Sequence, residues 1–239
     1  MTPLALVHGF GTSRHVWRRV LEGLDGWAVD LIGFGDAAAA GHAGQTVGEM
    51  ADALAVTLRE AGGGPYRVAA HSMGGKVALL LAARYPELIS ELLLIAPSPP
   101  TPEPMEPEGR AKLRAAYGNR DALSAQYHDI THQPIPEQDF EQLIEDGLRA
   151  SRDAWTAWTD LGSREDISSE IGGLKLPITV LYSEDDPAIA PGTIRSEVLA
   201  RLPGARAVPI RGSGHLIPLE DPQAVLSCSR QRSSHDSEI

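Results

Sequence analysis

A serine lies at the point where a strand-like run of residues gives way directly to a helix-forming run. Residues 66–70 are apolar enough for a buried strand, and residues 76–83 favour a helix. The segment between them reads Ala70-His71-Ser72-Met73-Gly74-Gly75. Small residues two positions before and two after the serine let the strand and helix backbones meet in a tight turn. That turn would expose the Ser72 hydroxyl, which makes it a candidate nucleophile, although a glycine-rich turn without any chemistry has the same pattern.

The composition excludes several classes of protein. Of the 239 residues, 42% are hydrophobic and 22% are charged, which is typical of one soluble globular domain, with or without an insertion. The net charge of −11 argues against a nucleic-acid partner, because such partners need a basic surface. The single cysteine, Cys228, excludes an internal disulfide and a multi-cysteine metal site. The sequence contains no long apolar run and no visible leader, so we expect a cytoplasmic protein without a membrane span.

Strand patterns alternate with helix patterns along most of the chain. The expected strands are residues 3–8, 27–32, 66–70, 91–96, 176–182 and 205–210. The expected helices lie near residues 15–17, 46–61, 76–83 and 194–202, the first of them capped by Thr12 or Ser13. This alternation predicts an α/β fold with a mostly parallel, twisted sheet and helices on both faces. In such folds reactive groups gather at the carboxyl ends of the strands.

One segment interrupts the alternation. Residues 97–104 contain five prolines, which exclude a helix or a central strand, and no strand pattern returns before about residue 165. Apolar residues within this segment are spaced for an amphipathic helix: Leu143, Ile144, Leu148, Trp155 and Trp158. The sequence therefore predicts a core formed by residues 1–96 and 166–239, with residues 97–165 as a helical lid insertion.

A serine nucleophile needs a histidine base and a carboxylate that orients the histidine. His215 lies in a glycine-rich loop directly after the last expected strand. The preceding strand ends in the acidic run Glu184-Asp185-Asp186. The order Ser72, Asp186, His215 matches the order in which this architecture arranges its triad. These residues predict a catalytic triad, with Asp185 as the alternative acid.

Two further motifs suggest a family. His8-Gly9-Phe10-Gly11 follows the first expected strand, and the run from Asp30 to Gly35 follows the second. With these motifs the chain resembles the α/β-hydrolase superfamily from Leu4 to about Leu226, and most closely its small, lid-bearing serine esterase-like branch. The resemblance implies that the backbone N–H groups of Phe10 and Met73 form an oxyanion hole. It also implies that the acid lies three residues after a glycine at the strand end. Ser183 occupies that glycine position here, so the count gives Asp186 as the acid. Asp185 stays possible.

The chain departs from the family pattern at both ends. Family members begin with one or two additional strands, whereas only Met1-Thr2-Pro3 precede the first strand here, so we expect the first edge strands to be missing and a different edge to be exposed. From Ser227 onward the sequence has almost no apolar face, where the family continues an amphipathic helix. We expect a short final helix and a loosely held terminus.

The resemblance implies a serine hydrolase that cleaves carboxylic esters without a cofactor, and the compact helical lid suggests substrates of small to medium size. We expect a monomer or homodimer that binds no metal. The same triad also serves lactone, thioester or carbon–carbon bond hydrolysis, lyase steps and perhydrolysis, because the fold hosts all of these reactions. A ligand-binding protein without activity is the alternative from another class. Phe34, Trp155 and Trp158 are candidate substrate contacts, although aromatic residues at helical spacing are more commonly part of a core.

Overall fold

The computed structural model describes residues 2–230 of the chain. Within them, six strands form one sheet in the order β2-β1-β3-β4-β5-β6, and every neighbouring pair is parallel. The strands are β1 (Leu4–Val7), β2 (Trp27–Val29), β3 (Tyr66–His71), β4 (Ile89–Ile95), β5 (Ile178–Ser183) and β6 (Arg206–Ile210). The predicted α/β architecture with helices flanking a parallel sheet is confirmed.

The central strands are buried because helices cover both of their faces. All residues of β1 and β5 are buried, as are all but one residue of β3, which explains why these strands read as continuous apolar runs. The strands at the two edges are shorter or more exposed. Within the described residues β2 pairs only with β1, so one edge of the sheet ends at a strand of three residues.

The helices follow the expected alternation. Those of the core are α1 (Arg18–Leu21), α2 (Val47–Ala61), α3 (Met73–Arg84), α8 (Ser168–Ile171), α9 (Pro191–Thr193), α10 (Ile217–Glu220) and α11 (Pro222–Arg230). A 3₁₀ turn at Arg14–Trp17 precedes α1, and the Ser13 hydroxyl caps it. Thr46 and Glu49 form a reciprocal capping box at the start of α2. None of the helices described is long and apolar enough to cross a bilayer.

Residues 97–165 lie between β4 and β5 and contain four α-helices, and we call them the helical insertion. The helices are α4 (Pro107–Ala115), α5 (Arg120–Ile130), α6 (Glu137–Arg149) and α7 (Arg152–Asp160). The single amphipathic helix expected between Leu143 and Trp158 is wrong, because the chain breaks into α6 and α7 at Ala150 and Ser151. The Ser151 hydroxyl accepts a hydrogen bond from the Ala154 N–H and so starts a new helix.

Two other elements differ from the expectation. β2 ends at Val29, three residues early, because the Leu31 N–H donates to the His8 Nε2 and the Leu31 carbonyl accepts the Phe34 N–H in a turn, so neither pairs with a strand. The helix expected near residues 194–202 begins at Pro191 and contains a π-helical turn over Ile194–Val198.

The final helix continues past the point where the sequence loses its apolar pattern. Helix α11 extends to Arg230, and Cys228 and Ser229 on it are buried. The Ser229 hydroxyl donates to the Val225 carbonyl 2.9 Å away, so its burial leaves no unsatisfied donor. The remainder of the predicted polar terminus lies outside the described residues.

Candidate active site

Ser72 occupies the turn between β3 and α3 in an unusual backbone conformation. Its φ of 52° and ψ of −121° lie where residues with a side chain are rare. The turn also brings α3 against β1, since a Cβ at Gly74 would lie 2.4 Å from the His8 carbonyl oxygen. The small residue two positions after the serine is therefore required by the packing of the helix on the strand.

The structure brings together the three residues predicted as a triad. The Ser72 Oγ lies 2.9 Å from the His215 Nε2, and the His215 Nδ1 lies 2.8 Å from the Asp186 Oδ2. All three residues are more than nine-tenths buried. They come from the carboxyl ends of β3, β5 and β6, which the parallel sheet places at one edge. The histidine can thus accept the serine proton at Nε2, while the Asp186 carboxylate accepts a hydrogen bond from Nδ1.

The two adjacent aspartates have different partners. The second carboxylate oxygen of Asp186 accepts the backbone N–H groups of Ala188 and Ile189 at 2.8 and 3.0 Å, which fixes its orientation toward His215. Asp185 points to the neighbouring loop, where it accepts the Gly212 N–H at 2.7 Å. The geometry favours Asp186 as the partner of the histidine.

Two opposing effects act on the His215 imidazole. Burial by itself lowers its pKa, because a charged ring loses hydration. The negative charge and hydrogen bond of Asp186, with smaller contributions from Glu103 and Glu220, outweigh burial and raise the pKa above its usual value of 6.5. An imidazole with a raised pKa is a stronger base for the Ser72 hydroxyl.

Two side chains hold the peptide group between Gly9 and Phe10 by hydrogen bonds to its carbonyl oxygen. Its oxygen accepts from the His8 Nδ1 at 2.8 Å and from the Thr12 hydroxyl at 3.0 Å. The His8 Nε2 accepts the Leu31 N–H, so the proton of the neutral ring is on Nδ1, and burial lowers the His8 pKa and keeps it neutral. In a trans peptide the N–H points opposite to the C=O, so these bonds also set the direction of the Phe10 N–H.

The two predicted oxyanion donors remain free to bind a ligand. Within residues 2–230, no protein acceptor takes the N–H of Phe10 or of Met73. The Met73 N–H also opens helix α3, whose N-terminal dipole favours negative charge. This arrangement is suited to an anionic oxygen that develops beside Ser72.

His71 contacts the loop that carries His215, the predicted base. Its Nε2–H donates to the His215 carbonyl oxygen at 2.9 Å, and the two rings lie 5.0 Å apart. Burial and the neighbouring His215 lower the pKa of His71 to about 3, so His71 stays neutral. It therefore supports the histidine loop and is not placed to act as a second base.

Glu220 is a residue of this site that the sequence analysis did not find. One of its oxygens accepts three backbone N–H groups at 2.8 Å, those of Gly214, His132 and Gln133, and the other accepts the Leu216 N–H at 3.0 Å. Glu220 thus ties the histidine loop to the insertion. No sequence motif marks it, because its partners in the insertion are almost ninety residues away along the chain.

Lys76 is fully buried on α3, four residues after the serine. Its ammonium donates to the carbonyls of Thr101 and Glu165, which lie near the two ends of the insertion. Burial lowers its pKa to about 8. This lysine therefore attaches both ends of the insertion to the helix that follows the serine.

The three predicted substrate contacts lie in the apolar layer around Phe10. Phe34, Trp155 and Trp158 are each less than 4% exposed, and their rings lie 6.0, 4.4 and 6.4 Å from that of Phe10. Phe10 itself is only partly buried. The structure places these rings next to that of Phe10, and their contact with a substrate stays a prediction.

A separate cleft of about 770 Å³ opens at the amino ends of the strands, between residues such as Trp27, Arg67 and Glu91. It lies at the opposite end of β3 from Ser72 and takes no part in this arrangement. Within the described residues, no group of three or more His, Cys, Asp or Glu side chains is placed to bind a metal ion.

Comparison with known proteins gives the same fold. The sequence profile of the alpha/beta hydrolase family matches residues 4–227. An esterase of Mycobacterium tuberculosis is 28% identical over 94% of this chain and 80% of its own length. A pimeloyl-[acyl-carrier protein] methyl ester esterase of Neisseria meningitidis is 29% identical over 88% of this chain and 70% of its own. The crystal structure of a candidate aryl esterase from Burkholderia cenocepacia superposes with a TM-score of 0.83 at 20% identity, covering 95% of this chain and 88% of that one.

Proposed function

The chain belongs to the alpha/beta hydrolase family, and we propose that it hydrolyses carboxylic esters of small to medium size through an acyl-enzyme on Ser72. The observation that supports this most directly is the continuous line of hydrogen bonds from Ser72 through His215 to Asp186. A serine is a poor nucleophile unless a base takes its proton, and this line supplies the base and its orienting carboxylate.

In the first half of the proposed reaction, the Ser72 Oγ attacks the ester carbonyl carbon while the His215 Nε2 takes the hydroxyl proton. Asp186 stabilises the imidazolium that forms, through the hydrogen bond to Nδ1. The carbonyl oxygen becomes negatively charged and accepts the N–H groups of Phe10 and Met73. His215 then returns the proton to the leaving alcohol, and the acyl group remains on Ser72.

In the second half, water occupies the place of the alcohol. His215 takes a proton from the water, which attacks the acyl carbonyl through a second oxyanion held by the same two N–H groups. Collapse of this intermediate breaks the bond to the Ser72 Oγ, and His215 returns the proton to that oxygen. The carboxylic acid leaves, and the enzyme is restored without a cofactor.

The choice of esters among the reactions of this fold is supported by the relatives. The two relatives described above, from Mycobacterium tuberculosis and Neisseria meningitidis, are named as esterases. The helical insertion contacts the loops that carry Gly11 and His215, and an aromatic layer lies around Phe10. These bulky neighbours favour small to medium acyl and alcohol groups. In this proposal Phe34, Trp155 and Trp158 shape the apolar wall that Phe10 presents to the substrate.

A panel of matched carbonyl substrates tests the proposal. We expect turnover of p-nitrophenyl acetate and butyrate, slower turnover of long-chain esters, and a single fluorophosphonate adduct on Ser72 by intact mass and peptide mapping. Lactones, thioesters and 1,3-diketones of similar size serve as competing substrates. Preferred turnover of one of these would replace ester hydrolysis with the corresponding reaction, and absence of both turnover and adduct would favour a ligand-binding protein.

The pH dependence of kcat/KM reports the protonation state of His215. Only the neutral imidazole can accept the serine proton, so kcat/KM is expected to fall as the pH decreases through the His215 pKa. Since Asp186 raises that pKa, the midpoint of the acid limb is expected above 6.5. Initial rates between pH 5 and 9 measure it, and fluorophosphonate labelling rates are expected to follow the same limb. A midpoint below 6.5 would contradict the dominant role assigned to Asp186.

A further inference from the structure

Helix α5 of the insertion contacts both loops that carry the proposed chemistry. The Tyr127 hydroxyl donates to the carbonyl oxygen of Gly11, the residue that follows Phe10, at 2.5 Å. Three residues later on the same helix, the Ile130 carbonyl accepts the His215 N–H at 2.8 Å. One turn of helix therefore connects the loop that follows β1 with the loop of the histidine.

The contact of Tyr127 is built into the packing of the insertion. The ring is 1% exposed, and Gly147 on α6 leaves space for the hydroxyl, since a Cβ there would lie 2.9 Å from it. Burial raises the pKa of Tyr127, so the hydroxyl stays protonated and acts as a donor. The Gly11 carbonyl thus has a permanent partner.

Gly11 needs such a partner because the backbone of a glycine can adopt many conformations. Its φ of +70° is in the left-handed region, which glycine enters and leaves at little cost. A side chain at this position would also be crowded, since its Cβ would lie 3.3 Å from both Trp155 and the Tyr127 hydroxyl. The two peptide planes that meet at Gly11, Phe10–Gly11 and Gly11–Thr12, can rotate unless hydrogen bonds hold them.

The insertion holds the other end of the same loop as well. The Ser13 hydroxyl donates to the Asp146 carboxylate of α6 at 2.6 Å, and the His15 ring lies 3.0 Å from it. Asp146 is 1% exposed, so these bonds form away from competing water. Residues 9–13, which we call the oxyanion loop, are therefore fixed by α5 in the middle and by α6 at the end.

We propose that Tyr127 is a positioning residue, whose hydroxyl holds the Gly11–Thr12 peptide. Through the bond from the Thr12 hydroxyl to the Gly9 carbonyl, it helps His8 to keep the Phe10 N–H aimed at the oxyanion beside Ser72. The inference rests on the proposed function for its effect on rate. The hydroxyl touches no reacting atom and acts only through the loop. The insertion then has a role beyond its proposed contact with the substrate, because it helps to set the geometry of one of the two oxyanion donors.

Tyr127→Phe tests this role. We expect kcat to fall about tenfold with KM within about threefold, because a displaced oxyanion donor weakens the transition state more than the bound ester. The affinity for a trifluoromethyl ketone, which forms a tetrahedral adduct, should fall by the same factor as kcat/KM. Hydrogen exchange of peptides covering residues 9–13 should accelerate.

Tyr66→Phe is the matched control. Tyr66 is also buried and donates its hydroxyl to backbone carbonyls, those of Leu58 and Gly62, but it lies at the amino end of β3, away from Ser72. Both variants are expected to lose similar thermal stability, while Tyr66→Phe retains kcat, ketone affinity and exchange in residues 9–13. If the two variants behave alike in these three readouts, Tyr127 is a packing residue only and the inference is overturned.

The exchange measurement separates this inference from the proposed function. A wild type that hydrolyses no ester would remove the proposed function, yet the exchange of residues 9–13 would still report whether Tyr127 holds the loop. Unchanged exchange in Tyr127→Phe would overturn the inference in either case. Faster exchange with an unchanged kcat in an active enzyme would also overturn it, because loop order would then have no effect on the reaction.

Discussion

Replacing Ser72 with alanine is expected to lower kcat/KM for a short-chain p-nitrophenyl ester by a factor on the order of 10³ to 10⁶. The variant keeps the Cβ but loses the only atom proposed to form the acyl-enzyme. The backbone bonds around the turn do not involve that oxygen, since the Ser72 N–H donates to Ile95 and the Ser72 carbonyl accepts from Gly75 and Ser98. We therefore expect the variant to fold and the loss to be chemical.

The measurement combines initial rates with intact mass after a fluorophosphonate. Ser90→Ala is a suitable control, because Ser90 lies near the amino end of β4 and its hydroxyl donates to the Tyr66 carbonyl. The control is expected to retain the adduct and at least half of the rate. An adduct or substantial turnover in Ser72→Ala would place the nucleophile elsewhere.

The second large effect is expected from a pair of neighbouring variants, Asp186→Asn and Asp185→Asn. Loss of the Asp186 charge removes the group that stabilises the His215 imidazolium and fixes its tautomer, so kcat should fall by about 10⁴. Asp185→Asn keeps an oxygen that can accept the Gly212 N–H, and its kcat should change by no more than about threefold.

Circular dichroism melts of both variants accompany the kinetics and show whether either has lost its fold. The two substitutions make the same chemical change one residue apart, so a general effect of removing an acidic charge from this loop would appear in both. A larger loss in Asp185→Asn would reverse the assignment of the acid.

Much of the candidate site could be predicted from the sequence, because its groups lie directly after buried strands. Ser72, His215 and the acidic run after β5 each follow an apolar stretch, and a parallel sheet places such ends at one edge. Which of two adjacent aspartates faces the histidine depends on the turn itself. Here the N–H groups of Ala188 and Ile189 orient Asp186, a detail that residue type alone does not specify.

Supporting contacts between distant segments could not be predicted in the same way. Tyr127 and Gly11 are 116 residues apart, and Ser13 and Asp146 are 133 apart. A tyrosine or an aspartate in a helical segment has no local pattern that reveals such a partner, because the pairing follows from how the insertion packs on the core. The division between α6 and α7 did have a signal, since Ser151 is a helix-capping residue, but the apolar spacing across it resembled one continuous helix.

The backbone of Ser72 has a consequence for stability. A residue with a side chain at φ 52° and ψ −121° costs on the order of 1–3 kcal/mol, a cost that glycine at the same position would avoid. The folded chain is thus expected to gain stability from Ser72→Gly, which removes the proposed nucleophile. Laboratory selection for heat resistance alone would favour that variant, so a thermostable form of this protein has to be selected for heat resistance and turnover together.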